Sequence, residues 1–313
     1  MFEQVKIGVA LGAGGARGLA HLGVLEGLEA AGIKISYLAG TSIGALIGAA
    51  YAVSGSAAEL QQRFLAFLDS DLFKDSGLSL IAEAVKDKPE TVSQRIETWL
   101  KKAYLQAKVI TKTEVMDSQL FRKIIEYFIP NIRIEDLPQP FWAMGADLRT
   151  GRGVVFKTGP LRAAVYASAA IPGAVKPLSL DDYLIVDGGV LNMVPVVPVI
   201  HMGAEVVLAV DVEKALINQE DYSSAFELLF RVEDIQNYYI KEMHVRLADL
   251  ILRPEVGHVH WADFKRAPEL IRLGKDEVLR RLEEVQELAR RRKMPWTRRR
   301  CLPSLPLQDW IVV

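Results

Sequence analysis

The chain has 313 residues, 50% hydrophobic and 25% charged, with a net charge of -1. This balance gives a globular, soluble chain with ample material for a buried core, and it argues for no nucleic-acid partner. The only cysteine, Cys301, excludes an internal disulfide and a cysteine-based metal cluster, and it points to a reducing compartment, read here as the cytoplasm.

The amino terminus, MFEQVKIGVA, carries Glu3 and enters a strand-like run at once, unlike the basic-then-apolar layout of a secretory signal. VKIGVA predicts a strand, LAHLGVLEGLEAAG a helix closed by Gly32, IKISYLAG a second strand, and IGALIGAAYAVSG a helix closed by Gly55. This alternation predicts a mainly parallel sheet covered by helices on both faces. The apolar part of the longest uncharged stretch, around Leu38 to Val53, is rich in glycine and alanine and shorter than the roughly 20 apolar residues that span a bilayer, so no transmembrane helix is expected.

From about residue 57 to 128 the pattern is helical, with ELQQRFLAFL, SQRIETWLKKAYL and SQLFRKIIEYF each carrying apolar positions three and four apart. Periodicity leaves two readings open for this block, a cap beside a site or ordinary helical packing. Strands resume at FWAMGADL, RGVVFKTG, YLIVDGG and AEVVLAVDV. One amphipathic helix, PELIRLGKDEVLRRLEEVQELARRRK, then precedes a tail rich in arginine and proline. The domain reading is a catalytic unit over residues 1–285 with a helical insertion over about 57–128, followed by a basic, proline-containing tail over 286–313.

GTSIG, Gly40 to Gly44, falls between the strand ISYLA and a helix, the context of a nucleophile elbow. A tight turn there lifts the Ser42 hydroxyl out of the sheet, the flanking glycines let strand and helix approach, and the helix terminus favours developing negative charge. Serine also caps helices, and that alternative stays open on the motif alone.

LGAGGARGLAHLGVL sets Gly12, Gly14, Gly15 and Gly18 between the first strand and its helix. A dinucleotide fingerprint from Gly12 requires glycine where Arg17 stands, and a phosphate loop requires Lys followed by Ser or Thr. Both fail. The remaining functional reading is a loop whose backbone N–H groups, from Gly12, Gly14, Gly15, Ala16 and Arg17, face an oxyanion, with Arg17 supporting the field or bracing the loop. A loop whose glycines only permit a tight turn is the alternative.

None of the five histidines, His21, His201, His244, His258 and His260, stands in a loop context resembling that of a triad histidine. The pair in GHVHW lacks further ligands at a persuasive spacing, so no metal site and no cofactor is expected. Asp187 ends the apolar run YLIV and enters a turn with Gly188 and Gly189, either as an exposed carboxylate or as a turn former.

These three elements, in this order, resemble the patatin-like phospholipase family. Further segments resemble it too: GADLRTGRGVVF, LRAAVYASAAIPGAVKPL and VDGGVLNMVPVVPVIHMGAEVVLAVDV, with Asn192 and Pro195. The resemblance runs from about Lys6 to Val212, and Ala13 departs from the glycine of many members. It implies a three-layer α/β/α sandwich, a dyad of Ser42 and Asp187 in place of a triad, and metal-free hydrolysis of phospholipid, lysophospholipid or other acyl esters. A general carboxylesterase and a non-catalytic acyl-lipid-binding regulatory protein are the alternatives. The run RRRKMPWTRRR, seven basic residues and no acidic one, suits either an anionic membrane surface or a solvated helix end.

Overall fold

The computed structural model describes residues 5–76, 116–216, 218, 222, 225–290 and 310–313. The first half contains β1 (Ile7–Leu11), a 3-10 turn (Gly15–Leu19), α1 (Ala20–Ala30), β2 (Ile35–Gly40), α2 (Ile43–Ser54), α3 (Ala57–Asp69), α4 (Asp71–Asp75), α5 (Ser118–Phe128) and β3 (Phe141–Asp147). The second contains β4 (Gly153–Phe156), α6 (Leu161–Ser168), β5 (Leu178–Leu180), β6 (Tyr183–Asp187), α7 (Val196–His201), β7 (Val206–Val210), α8 (Ala225–Val245), β8 (Leu250–Leu252), α9 (Ala267–Arg280), α10 (Leu282–Arg290) and β9 (Ile311–Val312).

The strands form one sheet in the order β5-β6-β3-β2-β1-β7-β8, with β4 beside β3 and β9 beside β4. β1 pairs in parallel with β2 and β7, β2 with β3, and β7 with β8. The pairs β3–β4, β3–β6 and β5–β6 are antiparallel. Alternate residues of the central strands enter two cores. Val9, Leu11, Leu208 and Val210 join the larger core with α1 and α2, whereas Ala10, Ala39, Val207 and Ala209 pack with Val196 and Val199 of α7 and Val245 of α8. Burial on both faces is why β1 and β7 read as continuous apolar runs, and it gives the expected three layers.

The register explains where a site forms. Leu11 of β1 pairs with Gly40 of β2 and with Val210 of β7, so the loops after these strands leave one edge of the sheet together. β4 occupies one side of β3, opposite Ala143 through Ala146. Along the other side, Ala143 pairs with Gly40 of β2 and Gly145 with Asp187 of β6. The carboxyl ends of β2 and the antiparallel β6 therefore meet head-on, two register positions or about 7 Å apart.

In the helical block, Phe64 stacks on Phe128 at 4.0 Å between ring centroids, and Phe67 meets Phe73 at 5.5 Å. The described parts pack into the larger core; the stretch SQRIETWLKKAYL lies outside the described residues. The predicted last helix is two, because Arg281, at φ -104° and ψ 15°, ends α9 before α10 begins. α9 lies close along α1, where a Cβ on Gly23 would come within 1.8 Å of the Ile271 carbonyl oxygen. The tail boundary expected at residue 286 falls inside α10, and Ile311 and Val312 pair with β4, so the end of the chain rejoins the sheet. Beyond Arg290, the basic run lies outside the described residues. Among the described residues no helix is long and apolar enough to cross a membrane.

Candidate active site

The two glycines around Ser42 are required by contact. A Cβ on Gly40 would lie 2.3 Å from the Gly44 carbonyl oxygen, and one on Gly44 would lie 2.3 Å from that of Leu11. Ser42 occupies φ 57° and ψ -125°, a backbone state costing on the order of 1–3 kcal/mol for a residue with a side chain. Its side chain makes no capping hydrogen bond to α2, which removes the capping explanation for a serine here. The hydroxyl instead faces the Asp187 carboxylate, near enough to pull its pKa down. The Ser42 N–H is held by Ser168, whose carbonyl and hydroxyl oxygens accept it at 3.1 and 3.2 Å.

Asp187 is 5% exposed, and its own N–H donates to the Ala170 carbonyl at 3.0 Å. The turn after α6 therefore holds the backbones of both residues. Burial raises the Asp187 pKa from 3.8 to about 6, against the opposing pull of the Ser42 hydroxyl and of the Gly189 N–H, which donates to the carboxylate at 2.7 Å. Gly188 leaves room for the Met144 carbonyl, 2.6 Å from where a Cβ would stand.

The glycine loop lies against both residues. Ile43, beside Ser42, fills the space a side chain on Gly18 would take, and Ala13 lies beside Gly189. Thr41 donates its N–H to the Leu11 carbonyl at 3.1 Å and its hydroxyl to the Asn192 carbonyl at 2.8 Å, tying the elbow to the loop and to the turn after Asp187.

The expectation of five backbone donors in that loop needs correction. The Gly12 N–H donates to Val210 at 3.1 Å and the Ala16 N–H to Trp261 at 2.6 Å, so neither is free for a ligand; Ala13 likewise donates to Met193 at 2.9 Å. Among the described residues nothing accepts from the N–H of Gly14 or Gly15. The Arg17 side chain turns away to Glu213, 2.7 Å distant.

His21 is fully buried, and burial lowers its pKa to about 4. Its Nε2 donates to the Gly12 carbonyl at 2.7 Å, bracing the loop, and Nδ1 has no partner among the described residues. His258 lies on the surface, between Glu269 and Arg266, and no group of His, Cys, Asp and Glu among the described residues could hold a metal ion. Ser168, Thr41 and Glu213 were not singled out from the sequence, because a serine in LRAAVYASAAIPG or a glutamate after AVDV carries no local signal of the contact it makes.

A patatin-like phospholipase family model matches residues 9–200. An uncharacterised NTE family protein of Mycobacterium tuberculosis is 31% identical over 205 residues, 66% of this chain and 48% of the relative. Patatin-like phospholipase domain-containing protein 6 of Homo sapiens is 32% identical over 231 residues, 72% of this chain and 15% of the relative. The chain thus spans less than half the length of these curated relatives. Among solved structures, VipD from Legionella pneumophila is similar at a TM-score of 0.45 and 13% identity, over 90% of this chain and 67% of that one. The family match covers more than half of the chain and contains the glycine loop, the elbow and the Asp187 turn: the chain belongs to the patatin-like phospholipase family.

Proposed function

We propose that the chain is a serine acyl hydrolase of lipid esters, of phospholipase A or lysophospholipase type, with Ser42 as nucleophile and Asp187 as general base. One observation carries the reading: an uncapped serine in a strained elbow, facing a buried carboxylate whose pKa it lowers.

As the Ser42 oxygen attacks the ester carbonyl carbon, its proton passes to Asp187. A carboxylate raised to about 6 is a competent base near neutral pH yet still able to return the proton. The carbonyl π pair moves onto oxygen, where the free N–H groups of Gly14 and Gly15 receive it; such donors contribute roughly 3–4 kcal/mol each. Collapse breaks the ester C–O bond, and Asp187 protonates the departing alcohol. Water then attacks the acyl-serine, losing its proton to Asp187, and collapse returns that proton to Ser42 and frees the carboxylic acid.

The surface beside this turn supports a lipid substrate over a small ester. An open groove of about 570 Å³ is lined by Val190, three residues past Asp187, and by Ile235, Tyr239 and Ile240 of α8 together with the polar Glu233, Gln236 and Asn237. Leu229, Tyr239 and Met243 are each more than 60% exposed on α8. The apolar part of this lining suits an acyl chain, and the volume is typical of ligand sites. The basic residues between Arg290 and Arg300 extend the reading to contact with an anionic membrane surface, at about 1 kcal/mol per basic residue.

The test is a panel of phospholipids, lysophospholipids and simple esters offered to wild type and Ser42→Ala, with a fluorophosphonate probe mapped by peptide mass. Labelling of Ser42 alone, and lipid hydrolysis lost in Ser42→Ala, is the expected outcome. A folded wild type that neither labels at Ser42 nor cleaves any ester leaves the non-catalytic lipid-binding alternative.

A further inference from the structure

A chain of charges, buried at Arg17, Asp211 and Lys241 and partly exposed at Glu213 and Arg253, begins at the glycine loop. Arg17 is 5% exposed, and its Nη2 lies 2.7 Å from Oε1 of Glu213. The Arg17 Nε is buried with no partner among the described residues, which leaves Glu213 as the counter-charge that fixes the guanidinium. Glu213 is fixed in turn. Its N–H donates to Oδ1 of Asp211 at 3.1 Å, and the Asp211 carboxylate accepts Lys241 of α8 at 3.0 Å and Arg253, after β8, at 3.2 Å. Between Asp211 and Glu213, Val212 closes on Gly14: a Cβ there would stand 2.7 Å from its Cγ2. Gly15, at φ +57°, is confined on its other side by the Trp261 carbonyl, 2.4 Å from a Cβ position.

An ion pair with one buried and one partly exposed partner is weak support for stability, since desolvation offsets much of the attraction. Geometry is what this pair supplies. Arg17 stands in the 3-10 turn that opens at Gly14 and Gly15, and its partner belongs to the segment after β7, so the pair sets how that turn sits against the sheet edge.

We propose that Glu213 is a positioning residue for acyl transfer, acting through Arg17 to fix the turn that aims the Gly14 and Gly15 N–H groups at the carbonyl oxygen of the substrate. The proposal rests on the reading of Ser42 as nucleophile. Donors aimed at an oxyanion act on the transition state more than on the bound ester, so loosening them lowers kcat and leaves KM in place.

The experiment uses the full chain, a soluble short-chain ester and the variants Glu213→Gln, Glu213→Ala, Arg17→Ala and Arg17→Ala/Glu213→Ala, with thermal melting to confirm folding. Expected are a kcat loss of about tenfold in Glu213→Gln and about a hundredfold in Glu213→Ala, KM within about twofold, and slower fluorophosphonate labelling of Ser42 in step with kcat. The double variant should be no slower than Arg17→Ala, because the two side chains act as one unit. Wild-type kcat in a folded Glu213→Gln, a raised KM at unchanged kcat, or additive losses in the double variant overturns the proposal. Where Glu213→Ala does not fold, the nearly isosteric Gln variant decides alone. A wild type that neither labels at Ser42 nor hydrolyses esters removes the nucleophile and this proposal with it; a labelled Ser42 with Glu213→Gln unaffected removes this proposal only.

Discussion

Ser168 holds Ser42 by two oxygens at once, its carbonyl at 3.1 Å and its hydroxyl at 3.2 Å from the Ser42 N–H. The strained backbone of the elbow is thereby fixed from outside its own turn, by α6. Ser168→Ala deletes one of the two acceptors, worth about 0.5–1.5 kcal/mol, and should lower kcat on a soluble ester roughly two- to tenfold with the melting temperature little changed. Unchanged turnover in Ser168→Ala would show that the carbonyl alone fixes the elbow.

The proposed mechanism carries a pH dependence of activity. As general base Asp187 has to be ionised to accept the Ser42 proton, so kcat/KM should rise with pH through about 6 and level off above it. Asp187→Asn keeps the shape of the site, accepts no proton, and should lose the roughly 10²–10⁴ of general-base catalysis. A profile flat from pH 5 to 8 would point to another base.

The same shift has an effect on stability, of the opposite sign to that of a salt-bridged aspartate. Asp187 has its folded pKa raised, so its contribution to stability is full below about 3.8 and is lost as pH rises through about 6. Asp187→Asn should therefore be more stable than wild type at pH 8, by roughly 2–3 kcal/mol, and no more stable at pH 3.5. Chemical denaturation at the two pH values checks this, and a variant destabilised at both would mean that the carboxylate is held favourably in its ionised form.

The histidines divide into a brace and bystanders. His21→Ala removes a buried ring and the donor to the Gly12 carbonyl, and should cost about 2–4 kcal/mol of stability. Its activity at a temperature where it stays folded should remain within about tenfold of wild type, with the pH midpoint near 6 unmoved, because a histidine whose pKa is about 4 is a poor base here. His201→Ala, His244→Ala, His258→Ala and His260→Ala should also stay within about tenfold. One folded histidine variant as inactive as Ser42→Ala would replace the dyad by a triad.

The proposed lipid reading gives the groove beside Val190 a role in chain-length preference. Tyr239→Asp puts a charge into it, and kcat/KM for a palmitoyl ester should fall about tenfold while an acetyl ester, which has no long chain to seat there, is turned over as before. Equal losses on both esters would assign Tyr239 to folding and not to the acyl chain.

Local order was legible in the residues. The strand and helix periods around the first two loops, the glycines that let Gly40 and Gly44 close a turn, and an aspartate at the end of YLIV all act within a few residues, and a pattern of that length records such contacts. The meeting of Ser42 with Asp187 is of another kind. It depends on β2 and β6 ending against the same side of β3, a register no local period encodes. Tertiary structure likewise decided which loop amides stay free, since the carbonyls that occupy Gly12, Ala13 and Ala16 come from Val210, Met193 and Trp261, far along the chain. Ile311 and Val312 form a strand because β4 offers an open edge, and two residues carry no pattern of their own. Sequence determined the elements and the chemistry each loop could offer; tertiary structure determined which groups face one another, because burial and pairing between distant segments choose among donors and acids that look alike in one dimension.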